Sequence, residues 1–380
     1  MNPERTQLEQ KIRISIQKNL VTFVLGPRAV GKTALANTVS ESFPTVTLNM
    51  ENPVDFDLLH ISPKGFLEQQ KGLIVIEEFQ RFMNLEALLP VFIELGNKQR
   101  RFLLIGNVAP SWLNGRVDFT AGKFNYVEVS GLHLSEIQWE NSHDLWLKGG
   151  FPESFYAETG EKSYEWRQRY IRIVLERDIH LLGLNISSQI LYRFCIMFAH
   201  ANGQVWKGSD FARSLGVSEP TIKRYLDILT DLYVFRQIQP WRENLSKRQV
   251  KAPKVYVYDS GILHTLLSLP EDQVLSHPKV ASSWESFVIE QIIRAMNITE
   301  YYYWRTHTGV ELDLFVIKDG KRYGFEIQYS DKPMITRSIK QAIKDLQLDA
   351  LFLVYQGKYH FDVENSIKLV PFNQLKEILP

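Results

Sequence analysis

The chain has 380 residues, 44% apolar and 12% aromatic, which is too long for one ordinary core and too hydrophobic for disorder, so two or three folded domains are expected. Its 44 basic and 43 acidic side chains leave a net charge of +1, which excludes nucleic-acid binding driven by bulk charge and requires any basic surface to be local. The single cysteine, Cys195, excludes an internal disulfide and fits a reducing, cytoplasmic setting; the nine histidines lack metal-ligand spacing, and no stretch approaches the ~20 apolar residues of a membrane span.

The opening Met1-Asn2-Pro3-Glu4-Arg5 runs into a charged amphipathic segment without the apolar stretch of a leader, so neither export nor mitochondrial import is expected. From there to about residue 140, short apolar runs alternate with helical patterns. Strands are predicted at 21–25, 45–50, 73–76, 102–105 and 126–129, the spacing of a parallel α/β sheet. Directly after the first run stand Gly26-Pro27-Arg28-Ala29-Val30-Gly31-Lys32-Thr33, a GxxxxGKT loop, followed by the helical apolar spacing of Leu35, Val39 and Phe43. Strand, glycine loop and helix in that order make a phosphate cradle. Backbone N–H groups and the positive helix end face the phosphates, Lys32 reaches the β- and γ-phosphates, and the Thr33 hydroxyl meets Mg²⁺. ATP with Mg²⁺ is the expected ligand.

The third run ends in Glu77 and Glu78, where such a fold sets its metal-side carboxylate and the group that orients the attacking water. Glu77 is assigned to Mg²⁺, although Asp is usual there and Glu is one methylene longer; Glu78 is assigned to the water. Asn107, at the tip of the fourth run, is placed toward the γ-phosphate or that water.

Residues 145–197 turn helical and read as a small lid; near its start Gly149-Gly150-Phe151-Pro152 suits either packing on adenine or a loop between domains. Residues 209–226 give two short helices joined at Gly216, a helix-turn-helix. The β-type runs 233–238 and 254–258 then flank a basic loop carrying Arg242, Lys247, Arg248 and Lys251, the pattern of a wing. Lys223 and Arg224 on the second helix suit phosphate contacts, so DNA binding is one expectation and protein interaction the other. The remainder reads as helix (284–296), strands (301–304, 311–317, 323–328), helix (336–346) and strand (351–355), a second α/β domain with its own core.

The joint order of GxxxxGKT, an acidic strand end followed by Phe79-Gln80-Arg81, then Leu134-Ser135-Glu136 and Gly149-Gly150-Phe151-Pro152, resembles the bacterial and archaeal AAA-type ATPases whose C-terminal uncharacterised domain combines a winged helix with a restriction-endonuclease-like module. The resemblance spans nearly the whole chain. It implies an α/β protein: a P-loop ATPase core (1–143), a helical lid (144–197), a winged helix (198–268) and a nuclease-like α/β domain (269–380). That family usually shows Ala-Gly-Arg before the last core strand, where this chain has Ala121-Gly122-Lys123; Lys123 and Arg116 both remain candidates for a trans-acting cation.

Glu285 on a helix, Asp313 in Gly309-Val310-Glu311-Leu312-Asp313, and Glu326 in Phe325-Glu326-Ile327-Gln328 resemble the PD-(D/E)xK nuclease core. There, carboxylates hold Mg²⁺ and a lysine two residues past the last acid stabilises charge. The resemblance makes Glu285, Asp313 and Glu326 metal ligands and puts Asp313, Glu326 and Gln328 in the cleavage site. Gln328 stands in the lysine slot and cannot neutralise charge, a task left to Arg305 or Lys332. The expected function is ATP hydrolysis governing a DNA-binding or nuclease-like half. The alternative is an ATP-dependent scaffold for a protein partner with an inert nuclease-like module. No membrane partner is expected, and an oligomer is compatible with either reading.

Overall fold

A computed structural model describes the chain except for residues 1–4, 83–84, 97–98, 119–121, 183, 185, 243–249, 365 and 376–380. Lys247, Arg248 and Ala121 lie outside the described residues. The strands β1 (Val21–Leu25), β2 (Thr45–Asn49), β3 (Gly72–Glu77), β4 (Arg100–Gly106) and β5 (Phe124–Glu128) form a parallel sheet in the order β2-β3-β4-β1-β5. Every residue of β1 is buried because helices cover both faces, which is why it reads as an unbroken apolar run. Period-two alternation divides it: Val21, Phe23 and Leu25 pack on one face with Ile74, Ile76, Phe102 and Leu104, while Val24 packs on the other with Leu35, Val39 and Ile105.

Because β4 returns to lie between β3 and β1, Leu25 pairs with Gly106 and Glu77 with Ile105. The ends of three strands therefore stand side by side at the point where the chain order reverses, the crevice in which α/β sheets bind ligands.

The helices Ser142–Lys148, Pro152–Phe155, Gly160–Ile173 and Ser188–His200 follow, with a single π-helical turn at Val174–Asp178. Next come β6 (Gln204–Val205) and the helices Gly208–Leu215 and Glu219–Asp231. Gly216 ends the first of these in the left-handed region (φ 69°), and the Ser218 hydroxyl accepts the Thr221 N–H to open the second. The strands β7 (Phe235–Pro240) and β8 (Lys254–Val257) pair antiparallel. The helices Ser260–Leu266 and Val280–Met296, strands β9 (Tyr301–Arg305), β10 (Glu311–Lys318) and β11 (Lys321–Gln328), helix Arg337–Leu346, and strands β12 (Ala350–Tyr355), β13 (Phe361–Glu364) and β14 (Ile367–Pro371) complete the order.

The last domain has a core of its own, with Trp304, Leu312, Ile339 and Leu351 among its members, and a second core that it shares with the segments before it. Gln239 and Pro240 of β7 pair in parallel with Tyr302 and Tyr303 of β9, so the hairpin and the C-terminal strands form one nine-stranded sheet, β13-β14-β12-β11-β10-β9-β7-β8-β6. Its core joins Ile238 and Tyr256 of the hairpin to Phe287, Leu314 and Phe325, and also takes in Leu132 and Trp146 from the end of the ATPase half. Two short strands bury too little by themselves and close on the nearest free sheet edge. The strands β13 and β14 were not predicted at all.

The two halves meet through a buried carboxylate. Asp259, eight per cent exposed, accepts the N–H of Gly150 (2.7 Å) and, as the cap of its own helix, that of Ile262 (3.0 Å). Gly149 has φ 79°, and a Cβ there would stand 2.1 Å from Asp259 Oδ1; a Cβ on Gly261 would stand 2.2 Å from the Lys148 carbonyl oxygen. The glycine pair therefore serves the joint between the halves. Arg167, fully buried, reinforces it, donating to the Lys148 carbonyl, Ser154, Ser163 and Thr265. Among the described residues no helix is long and apolar enough to cross a membrane.

Asp259→Ala strips two buried N–H groups of their acceptor and is expected to cost on the order of 2 kcal/mol. Gly261→Ala forces backbone apart at the same joint. Both should lower the melting temperature in thermal denaturation, whereas an exposed control such as Glu140→Ala should leave it in place.

Candidate functional site

The P-loop wraps under the helix Lys32–Ser40 through two left-handed residues, Ala29 (φ 63°) and Gly31 (φ 90°). Gly26 is required for packing, since a Cβ there would stand 1.9 Å from the Val129 carbonyl oxygen. Arg28, Ala29, Val30, Gly31, Lys32 and Thr33 line a cleft of about 500 Å³ together with Glu77, Glu78 and Asn107. The carbonyls of Gly26 and Pro27 face Lys32 instead, accepting from its Nζ at 3.0 and 2.6 Å. Pro152 and Glu153 close the far side of the cleft. Of the adenine-side motif, only Pro152 thus reaches the cavity wall.

Lys32 is five per cent exposed, and its third acceptor is Asn107 Oδ1 at 2.7 Å. The Asn107 amide nitrogen donates in turn to Glu78 Oε1 at 2.6 Å, so one asparagine bridges the P-loop lysine and the candidate water-orienting carboxylate. Gln80 donates to the other Glu78 oxygen (2.8 Å), and Glu78 itself sits at φ 54°, a backbone conformation that costs a non-glycine residue energy and aims its side chain off the strand end. Thr33 donates its hydroxyl to Glu77, and burial raises the Glu77 pKa above the usual carboxylate range. Hydroxyl and carboxylate oxygens in contact are the hard donors Mg²⁺ prefers, so this pair fits the ion assigned to it.

Four contributors to the site were not foreseen. Asp178, in the π-helical turn, takes the Arg28 guanidinium with both oxygens (2.9 and 3.0 Å), tying the P-loop to the helical segment; Arg28 also lies 3.5 Å from Glu78. Arg5, four per cent exposed, pairs with Glu136 (2.5 and 3.0 Å) and donates to the Val30 carbonyl (2.9 Å), which gives the Leu134-Ser135-Glu136 motif its structural task. Gln80 is the third; the fourth, Asp231, stands outside the cleft wall and takes the Ala109 N–H beyond the end of β4. No periodicity marks partners that stand up to 150 residues apart. Neither Lys123 nor Arg116 lines the cleft; Arg116 stacks on Trp112, 4.2 Å from the ring centre.

The C-terminal acids take a different arrangement from the expected metal site. Glu285 and Asp313 do converge, joined by Glu311, but on the ammonium of Lys254, at 2.8, 3.0 and 2.8 Å. Glu326 stands in the same field, and burial with the neighbouring Asp313 charge raises its pKa. Among the described residues, no group of three or more His, Cys, Asp or Glu is arranged to hold a metal ion. Gln328 is bonded to the backbone of the following loop. Its amide donates to the Met334 carbonyl (2.9 Å) and accepts the Met334 N–H (2.8 Å), clamping the loop after β11.

Burial lowers the Lys32 pKa from its ordinary ammonium value to about 7, with the charge of Glu78 working the other way. A polyanion favours the protonated lysine, so above pH 7 binding must bring a proton with it. Nucleotide affinity should fall as the pH rises beyond about 7, approaching tenfold per unit. Calorimetry at roughly pH 8 in buffers of different ionisation enthalpy should read uptake of about one proton; binding without uptake would contradict this account of Lys32.

Family comparisons divide the chain in three. Residues 18–138 match an AAA domain, 140–273 a domain of unknown function (DUF8612) and 281–375 another (DUF4143). Uncharacterized proteins of Mycobacterium bovis and Mycobacterium tuberculosis are each 40% identical over 373 residues, covering 98% of this chain and 84% of their own. Among solved structures, a Walker-type ATPase of Pyrococcus abyssi aligns at 15% identity and TM-score 0.46 over 69% of this chain and 95% of its own. The RuvB Holliday junction branch migration motor of Thermotoga maritima aligns at 14% identity and TM-score 0.29, over 62% and 90%. The chain belongs to the family of proteins in which an AAA-type ATPase domain is followed by a C-terminal DUF4143 domain.

Proposed function

We propose that this protein is an ATP-hydrolysing switch whose nucleotide state governs how its C-terminal half engages DNA. The observation that carries the reading is a short bonded path from the phosphate end of the cleft to the helix-turn-helix. Asn107 touches both Lys32 and Glu78. Two residues on, the Ala109 N–H donates to the Asp231 carbonyl (2.7 Å), and Ser111 donates to the Asp231 carboxylate (2.5 Å). Asp231 is the last residue of the helix Glu219–Asp231, the one bearing Lys223 and Arg224. A shift of Asn107 between phosphate and Glu78 therefore acts on the end of the helix proposed to face DNA.

In this reading Lys32 exchanges its two carbonyl partners for β- and γ-phosphate oxygens. Thr33 and Glu77 hold the ion, which supplies neutralisation of the charge building on the phosphate oxygens. Glu78, kept in place by Gln80 and Asn107, orients the attacking water. Arg28 remains on Asp178, so the helical segment follows the loop.

Gln328 and its Met334 clamp favour a C-terminal half that binds rather than cleaves, since the amide is committed to the backbone and carries no charge. Lys223 is paired with Asp227 one turn on, which leaves Arg224 as the stronger phosphate contact on that helix.

Glu78→Gln should retain ATP in calorimetry while turnover drops at least on the order of tenfold. Lys32→Ala should lose most affinity with its melting temperature preserved. If Glu77→Gln alone stalls turnover with binding intact, the two carboxylate roles are exchanged.

The coupling has its own test. Duplex DNA should change the steady-state ATPase rate of the wild type, and Asp231→Ala, which removes the Ser111 bond and keeps the backbone carbonyl that accepts from Ala109, should weaken that response while the basal rate stays within about twofold. A response equal to that of the wild type would remove Asp231 from the path; no DNA response in either protein, at low salt, would favour the protein-scaffold reading.

A further inference from the structure

The nuclease-like acids and the lysine at their centre raise a question independent of the ATP site: what cation belongs there. Lys254 is a strand residue, two before Tyr256 and on the same face of β8, and both side chains reach one carboxylate: Lys254 Nζ stands 2.8 Å from Glu285 Oε1, and the Tyr256 hydroxyl donates to that oxygen at 2.7 Å. The other two acceptors of the ammonium are Glu311 Oε1 (2.8 Å) and Asp313 Oδ1 (3.0 Å). An ammonium has three donors, and all three are used. Two of the remaining oxygens are engaged as well: Asp313 Oδ2 accepts the Ile327 N–H (3.0 Å), and Glu311 Oε2 lies 3.2 Å from Arg305. Glu326 Oε2 is buried without a partner.

These spacings suit a lysine. Mg²⁺ demands near-octahedral oxygens at about 2.0–2.1 Å and keeps several waters. Here the three carboxylates stand at ammonium distances around a side chain only three per cent exposed, so an ion would have to expel Lys254 and draw the acids inward. Lys254 is also held by its strand, paired on one side with Ile238 of β7 and on the other with Val205 of β6.

We infer that Lys254 takes the place of the divalent cation in this nuclease-like module, making it a site closed by the chain's own ammonium: it carries no metal, cleaves no phosphodiester, and fastens the hairpin β7–β8 to the helix Val280–Met296 and the strand β10. In this arrangement the acids solvate a buried lysine. The fit of residue types to a metal-dependent nuclease is thus met by an internal ligand.

The test uses the full chain, freed of metal and without nucleotide, titrated with Mn²⁺ by calorimetry and followed by thermal melting. The wild type should take up no Mn²⁺ that depends on Asp313 and should leave supercoiled plasmid uncut. Lys254→Met should melt lower, gain one Mn²⁺ per chain with a saturable rise in melting temperature, and lose both gains when Asp313→Asn is added. Wild-type uptake of one ion, or plasmid nicking, that Asp313→Asn removes would overturn the inference. So would a folded Lys254→Met protein that gains no ion. Should that variant fail to fold, the wild-type titration and the plasmid assay still decide the matter.

Discussion

A cation taken out of water must be ringed with oxygen, and among the described residues four of them are buried. Arg5, Lys32, Arg167 and Lys254 are each at most five per cent exposed. Leaving such a charge unpaired costs several kcal/mol, so each position demands a set of carbonyls, hydroxyls or carboxylates at fixed distances. The sets come from segments far apart in the chain. Arg5 draws on Val30, Ser130 and Glu136; Arg167 on Lys148, Ser154, Ser163 and Thr265; Lys254 on Glu285, Glu311 and Asp313. Each cation therefore specifies how two parts of the molecule sit against one another, a geometric demand that apolar packing alone makes less sharply.

Lys32 differs from Arg5 and Lys254 in what surrounds it. Its acceptors are two carbonyls and an amide, with no carboxylate in direct contact, so its charge is solvated by dipoles but not neutralised. That is the electrostatic condition of a site waiting for an anion: a phosphate supplies what the protein withholds. Lys254 has the opposite surroundings, with more carboxylates than it can balance. The same residue type, equally buried, is in one place a binding group and in the other a fastener. The distinction lies wholly in the oxygen donors.

The joint at Asp259 extends the same logic to an anion. Its carboxylate is held by backbone N–H groups of Gly150 and Ile262, with the Arg167 charge nearby, and the three glycines around it exist to let backbone approach. Gly149-Gly150-Phe151-Pro152, which reads in the sequence as equally suited to adenine or to a linker, is largely claimed by this contact. The nucleotide cleft and the C-terminal half are consequently joined by short, directional bonds: Arg28 to Asp178, Ala109 to Asp231, Gly150 to Asp259. Movement at the phosphate end has rigid elements to act on.

The sequence by itself determined whatever is local. The five parallel strands, the P-loop and its helix, the paired glutamates at a strand end and the helix-turn-helix with Gly216 were legible because each is written in consecutive residues, by period-two or period-3.6 burial and by glycine where backbone must turn. Tertiary structure decided the rest. That Glu285 and Asp313 meet the ammonium of Lys254 could not be read locally, since Lys254 precedes them by at least 31 positions. Whether β7 closed a wing or continued the C-terminal sheet depended on an open strand edge at β9, and nothing in a strand's own pattern reports which edge is free. Asp178 and Asp231 look like ordinary helix charges until the fold brings Arg28 and Ser111 to them. Periodicity records how far a residue is from water; it carries no record of which oxygen or nitrogen waits on the other side.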